Sequence, residues 1–191
     1  MPETLSDEEL MLQVREGVSE MLGILFDRHH AKLLNFYVRL TGNRALSEDL
    51  VQDVFYRILR SRRTYRPGSP FAPWMYQVAR NARRDNLRRR VEVEFQEGMV
   101  EPILPSDELS NRQQSQVLHR ALMQLPEDKR EVLLLSRFQE LKYSEIAQLL
   151  GCEVGTVKAR VFRAMQELRQ VLTAWEARSR PHPRARDAYE M

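Results

Sequence analysis

The stretch YSEIAQLLGCEVGTVKARVFR, residues 143–163, decides how this chain is read. Ser144 is placed to cap a short helix, and Ile146, Leu149 and Leu150 give that helix an apolar side. Gly151 permits a tight left-handed turn, and a second helix is expected from about Thr156. On a wheel at about 100° per residue, Val157, Val161, Ala164 and Leu168 fall in one narrow arc, the side to be buried. Ala159, Phe162, Arg163 and Gln166 lie opposite, flanked by Lys158 and Arg160. This is a helix-turn-helix pattern whose outward face suits a major groove. Arginine can take guanine, glutamine can take adenine, and phenylalanine or alanine can touch a thymine methyl. The flanking cations are placed for phosphates. The bland alternative is a solvated basic helix in a plain bundle, and Phe162 on the polar face argues against it.

Working outward, helical patterns precede this motif at about 112–124 and 127–140, with Pro126 suited to a first helical position. The motif's second helix continues to Trp175, and the basic, proline-containing end is expected to be a disordered tail. Upstream, residues 91–111 lose helical periodicity and carry Gly98, Pro102 and Pro105, which reads as a linker. Before it, helices are expected at 5–16, with Ser6 and Glu9 forming a capping box, and at about 19–41, stopped by Gly42. Ser47 is expected to cap a third, and a fourth runs from Ala72 or Pro73 to about Arg90. The implied organisation is a first domain at 5–90, a linker at 91–111, a second domain at 112–176 and a tail at 177–191.

Composition agrees. The 191 residues leave room for two small domains, 42% apolar content suffices for packed cores, and Gly is scarce at 7. Helix formers dominate, so the fold class is all-α. The net charge of +3 hides segregation. Residues 74–90 hold Arg80, Arg83, Arg84, Arg88, Arg89 and Arg90 against Asp85 alone, whereas 91–110 hold acids and no Lys or Arg. Two basic patches separated by an acidic stretch suggest two phosphate-facing surfaces on one chain. Cys152 stands alone, so no intramolecular disulfide forms, and no apolar run approaches the length of a membrane span.

Three stretches resemble a known family: SEDLVQDVF at 47–55, FAPWMYQVARN at 71–81 with basic residues after it, and the segment from Leu125-Pro126-Glu127 through YSEIA to VGTVK at 154–158. In this order and spacing they resemble the extracytoplasmic-function sigma factors, the smallest of the sigma-70 type, over about residues 8–175. The resemblance implies a factor that binds core RNA polymerase, recruits it to promoter DNA and helps open the duplex. The first domain would bind polymerase through Asp49, Gln52 and Asp53 and read the melted element through Asn81. The second would read the upstream element as duplex through Lys158, Ala159, Phe162 and Arg163. Ala159 stands where a polar reader is common. Such factors are often held by an anti-sigma partner, although no motif here names one. Membrane insertion is not expected, and a cytoplasmic location is.

The residues support these roles independently. Asp49 and Asp53 are four apart on one helix face with Gln52 beside them, a pairing that a basic partner surface would relieve and that solvent also tolerates. Asn81, Arg80, Arg83, Arg84 and Arg88 stand near Tyr65, Phe71, Trp74 and Tyr76, and cations with aromatics suit a single strand. Core packing is the ordinary use of such aromatics. Arg160 and Gln166 join the duplex-facing set. The 21-residue linker reaches at most about 70–75 Å, close to the roughly 70 Å of two duplex turns. No catalytic constellation, cofactor motif or metal cluster is evident, and the adjacent His29 and His30 diverge around their helix. A one-component regulator would explain 143–170 but not 47–90, and should bind its duplex site unaided. A DNA-processing enzyme would need a catalytic constellation.

Overall fold

The computed structural model describes residues 4–93 and 109–179; most of the expected linker (94–108) and of the tail (180–191) lie outside the described residues. Among the described residues the fold is all α-helical. Helix α1 spans Asp7–Glu16, α2 Met21–Thr41, α3 Arg44–Arg60 and α4 Phe71–Val93. In the second half, α5 spans Leu109–Gln124, α6 Glu127–Leu133, α7 Tyr143–Leu150 and α8 Val154–Ser179. Both ends of the expected linker are therefore helical, and so is the start of the expected tail.

Local sequence explains most boundaries. The Ser6 hydroxyl accepts the Glu9 N–H at 3.2 Å while the Glu9 carboxylate accepts the Ser6 N–H at 2.7 Å, the expected capping box. Gly42, at φ +72°, ends α2 in the left-handed conformation. Helix α3 begins earlier than expected. Asn43, not Ser47, is its cap, accepting the Leu46 N–H at 3.0 Å. Ser47 is buried a turn inside, where its hydroxyl donates to the Asn43 carbonyl at 2.6 Å. Ser144 is likewise inside its helix: α7 starts one residue before it, and the Glu145 carboxylate accepts the Lys142 N–H at 2.8 Å. Helix α4 receives a cap no local pattern reveals, as its Phe71 N–H donates to the Glu8 carboxylate of α1 at 3.0 Å.

The first four helices bury Leu10, Leu25, Leu33, Leu50, Ile58 and Met75 completely or almost so. Tyr37 donates its hydroxyl to the Ala79 carbonyl at 2.8 Å, pinning α2 to α4, and burial pushes its phenol far above the ordinary range. At the other end, burial pushes the Asp7 carboxyl up, but hydrogen bonds from Arg28 and His29 outweigh this and hold it below its ordinary value. In the second half, α6 passes into a π-helical turn at Leu134–Phe138, and α7 and α8 form the helix-turn-helix around Gly151 at φ +65°.

The halves touch. One apolar cluster runs through both, from Leu10 to Leu168. Arg130 of α6, 7% exposed, donates to the Leu40 carbonyl of α2 at 2.5 Å and to the Met123 and Leu125 carbonyls at 3.1 and 2.8 Å. A Cβ at Gly42 would lie 2.8 Å from Met123 Cε, so the glycine also admits the second half. Arg39 stacks over the Phe138 ring at 4.3 Å.

Candidate nucleic-acid interface

Helix α8 presents the face its sequence implied. Val157, Val161, Ala164 and Leu168 are buried against the rest of the second half. Lys158, Arg160, Arg163 and Gln166 are exposed, and Ala159 is half-buried at the edge of the same face. Phe162 is 63% exposed, with Lys158 one turn before it and Arg163 next to it in sequence. A small residue, an aromatic and an amide flanked by guanidinium and ammonium groups are parts that a major groove can take.

Helix α4 divides its basic residues between two directions. Asn81, Arg84 and Arg88 are exposed. Arg80 and Arg83 instead turn toward the second half. Arg80 Nε lies 3.2 Å from Glu131 Oε1, and its Nη1 donates to the Leu149 carbonyl at 3.4 Å. Arg83 Nη2 lies 3.5 Å from Glu127 Oε2, with the arginine side chain only 12% exposed. Sequence periodicity alone treated the five as one surface.

The aromatics near them also separate. Tyr65, Phe71 and Tyr76 are buried core residues, and Tyr76 donates its hydroxyl to the Gln139 side chain across the halves. Burial raises the Tyr65 phenol to about 12. Trp74 is the exception. It packs edge-on against Tyr65, 5.1 Å between centroids, and remains partly exposed.

Trp74 helps line a cleft of about 570 Å³ with Arg57, Arg60, Ser61, Thr64, Gln77, Val78 and Asn81. Gln77 donates to the Asn81 carbonyl oxygen at 3.2 Å, which leaves the Asn81 amide N–H groups for a ligand. A cleft with an aromatic wall, an amide at its rim and two arginines has the parts needed to hold an unstacked base and its phosphate. Arg57, Arg60, Ser61 and Thr64 were not among the sequence-derived candidates. The run of cations from Arg60 to Arg66 was the available signal, but only the fold brings it beside α4.

On α3, Asp49 and Gln52 are exposed on one face, with Tyr56, 62% exposed, one turn beyond. Tyr56 was also missed, although its spacing from Asp49 places it on that face. Asp53 differs. Arg57 Nε donates to it at 2.9 Å, and the same guanidinium reaches Asp85 of α4 at 2.6 Å. The Arg57 hydrogen bond holds the Asp85 carboxyl below its ordinary value. Burial would lower the Arg57 guanidinium, but the Asp85 and Asp53 hydrogen bonds outweigh it and raise it. Asp53 thus braces α3 against α4 as well as bordering the exposed face.

Among the described residues no cluster of His, Cys, Asp or Glu is arranged to hold a metal ion, and no helix is long and apolar enough to cross a membrane. His29 faces Asp7 at 2.6 Å and His30 faces the Phe26 carbonyl at 2.9 Å.

Comparison with known proteins follows the same division. Residues 25–92 match the family described as Sigma-70 region 2, and residues 115–168 match Sigma-70, region 4. The chain is 34% identical to the RNA polymerase sigma factor CarQ of Myxococcus xanthus, over 85% of this chain and 95% of that protein. It is 30% identical to the ECF RNA polymerase sigma-E factor of Escherichia coli K12, over 88% of this chain and 95% of that protein. Its fold resembles that of the sigma factor RpoE in complex with the anti-sigma factor NepR from Bartonella quintana, with a TM-score of 0.66, 28% identity, and 74% of this chain and 89% of that one covered.

Proposed function

The chain belongs to the extracytoplasmic-function group of the sigma-70 family, and from that premise we propose how its surfaces share the work of starting transcription. As an RNA polymerase sigma factor it directs promoter-specific initiation. In our reading, the first domain (5–90) binds core polymerase through the α3 face of Asp49, Gln52 and Asp53, with Tyr56 as an aromatic anchor beside them. The cleft beside Asn81 takes one base of the melted promoter strand. Arg84 and Arg88, with Arg80 and Arg83 once these are released, hold its phosphates. The second domain (112–176) lays α8 in the major groove of the upstream element. There Arg163 and Gln166 read base edges, Phe162 and Ala159 touch methyl groups, and Lys158 and Arg160 take phosphates. Capture of an unstacked base by the cleft would favour strand separation, which is how the factor contributes to promoter opening.

The observation that supports this reading is that one chain bears two surfaces of different construction. One is a concave cleft of about 570 Å³ walled by Trp74 and rimmed by Asn81. The other is a convex ridge crowned by Phe162 at 63% exposure. A regulator that reads only duplex has no use for the first. The chain acts by binding and not by catalysis, in the cytoplasm where polymerase and chromosome are. By likeness to the NepR-bound relative, it takes a protein antagonist of the anti-sigma kind.

The test is run-off transcription with purified core polymerase on a promoter library, with and without the protein. Sequence-specific transcripts that depend on the protein are expected. Silence with every core enzyme, together with tight duplex binding by the protein alone, would replace this reading with that of a one-component regulator.

A further inference from the structure

We propose that Lys129 of α6 is a positioning residue for duplex reading: it holds aside and neutralises Glu167, the one carboxylate that stands in the same row of α8 as Arg160 and Arg163. This rests on the assignment of that row to the upstream promoter element.

The sequence of α8 sets up a competition. Glu167 is the one acid between Val154 and Trp175. Arg160 and Arg163 stand two turns and one turn before it, so the three share a row along the helix. Arginine and glutamate four apart on a helix are near enough to pair. Arg44 and Glu48 of α3 have the same order and spacing as Arg163 and Glu167, and there Arg44 Nε donates to Glu48 Oε1 at 2.8 Å. On α8 that pair does not form. The Glu167 carboxylate turns instead to α6, where it accepts from Lys129 Nζ. Arg163 is exposed and, among the described residues, forms no ion pair.

Stability is a poor explanation for Lys129. It lies in the first turn of α6, the end of a helix that disfavours a cation. Its side chain is 29% exposed and that of Glu167 is 37% exposed, and ion pairs so open to water contribute little to folding. What the pair alters is the charge that α8 presents. Without Lys129, Glu167 has two courses, and both harm duplex reading. It can swing onto Arg163 and occupy the fork that an arginine needs for a guanine edge. Alternatively it stays in the row as a bare carboxylate and repels the phosphates that Arg160 is to hold. Pairing at this spacing is weak, roughly a twofold effect. Most of the harm therefore comes from the bare charge.

The test is run-off transcription by the full chain on core polymerase, from a promoter carrying the upstream element, at two salt concentrations. K129M is expected to lower transcription about fivefold relative to the unaltered protein at about 0.1 M salt, and by less at about 0.3 M, where the charges are better screened. K129R should keep full activity. E167Q alone should not lower it, and K129M/E167Q should recover to within about twofold, because no carboxylate is left to misplace. K129Q replaces K129M if the latter folds poorly. A K129M defect that persists in K129M/E167Q would make Lys129 a phosphate ligand or a prop of the fold in its own right, and would overturn the proposal. So would K129M activity equal to that of the unaltered protein at both salts. R160Q/R163Q should fall well below either single Lys129 variant. If it transcribes normally, the row does not face DNA and the assignment itself fails, whatever K129M does.

Discussion

Helices α4 and α8 both carry arginines on a face we propose for nucleic acid, yet one could be oriented from its residue spacing and the other could not. Helix α8 has a single apolar stripe of Val157, Val161, Ala164 and Leu168, so whatever is opposite faces outward. Helix α4 packs on two sides. Ala79 and Ala82 meet the first half, while Tyr76, Arg80 and Arg83 meet the second. A helix with two partners has no single outward face, and a polar side chain on it is as apt to be a seam contact as a ligand contact.

The sharpest way to break this contrast is at Arg130, which joins the seam to the body of the protein. Arg130→Ala removes donors from the Leu40, Met123 and Leu125 carbonyls and should cost about 3 kcal/mol of unfolding free energy in urea. It should also split one cooperative transition into two, since the halves would no longer report on each other. A single unshifted transition would mean that the seam contributes nothing to the folded state.

Phe162→Ala tests the other helix. The ring is 63% exposed, so the melting curve should stay within about 0.5 kcal/mol of the original. Transcription from a promoter with an intact upstream element should nonetheless fall on the order of tenfold, in line with the loss of one base contact. If the melting temperature drops as far as the activity, Phe162 is a packing residue and the exposed-face reading of α8 fails.

Asn81→Ala should weaken binding of the single-stranded downstream element several-fold and flatten its base preference at one position, with duplex binding through α8 unaffected. A uniform loss over all four bases would show that the cleft holds backbone and not an edge.

The smallest expected effect is at His119 of α5, which is 6% exposed with neither ring nitrogen hydrogen-bonded. Burial, with Arg130 and then Arg39 nearby, holds its pKa below the ordinary 6.5. The folded form therefore binds fewer protons than the unfolded one. Its contribution is fully present above about pH 6.5 and is lost as pH falls below that toward the depressed value. Urea midpoints at about pH 7.5 and 5.5 should differ less in His119→Gln than in the parent; equal slopes would remove His119 from the pH response.

Much of this molecule was readable beforehand, for local reasons. The Ser6–Glu9 box, the stop at Gly42 and the stripe of α8 each depend on residues within a few positions of one another. What escaped depended on distance. Asn43 displaced Ser47 as a cap because α2 turns into α3 at Gly42 and leaves no room for a longer loop. Asp53 acquired a bracing role only once Asp85 arrived on the far side of Arg57. Tyr65, Phe71 and Tyr76 carried the right chemistry for stacking on bases, and the core claimed them. The cleft beside Asn81 is formed by two segments, and neither alone is concave.

The bond from Arg130 to the Leu40 carbonyl spans 90 residues, and that separation has a meaning during synthesis. At ribosomal rates of about 5–20 residues per second, the carbonyl waits roughly 5–20 s after emergence for its donor. Only in the later part of that interval, once α4 has emerged, is the first half complete while Tyr76, Arg80 and Arg83 still lack their partners on the second half. A newborn chain therefore passes through a stage in which the arginines of α4 have been made and the glutamates of α6 that pair with them have not.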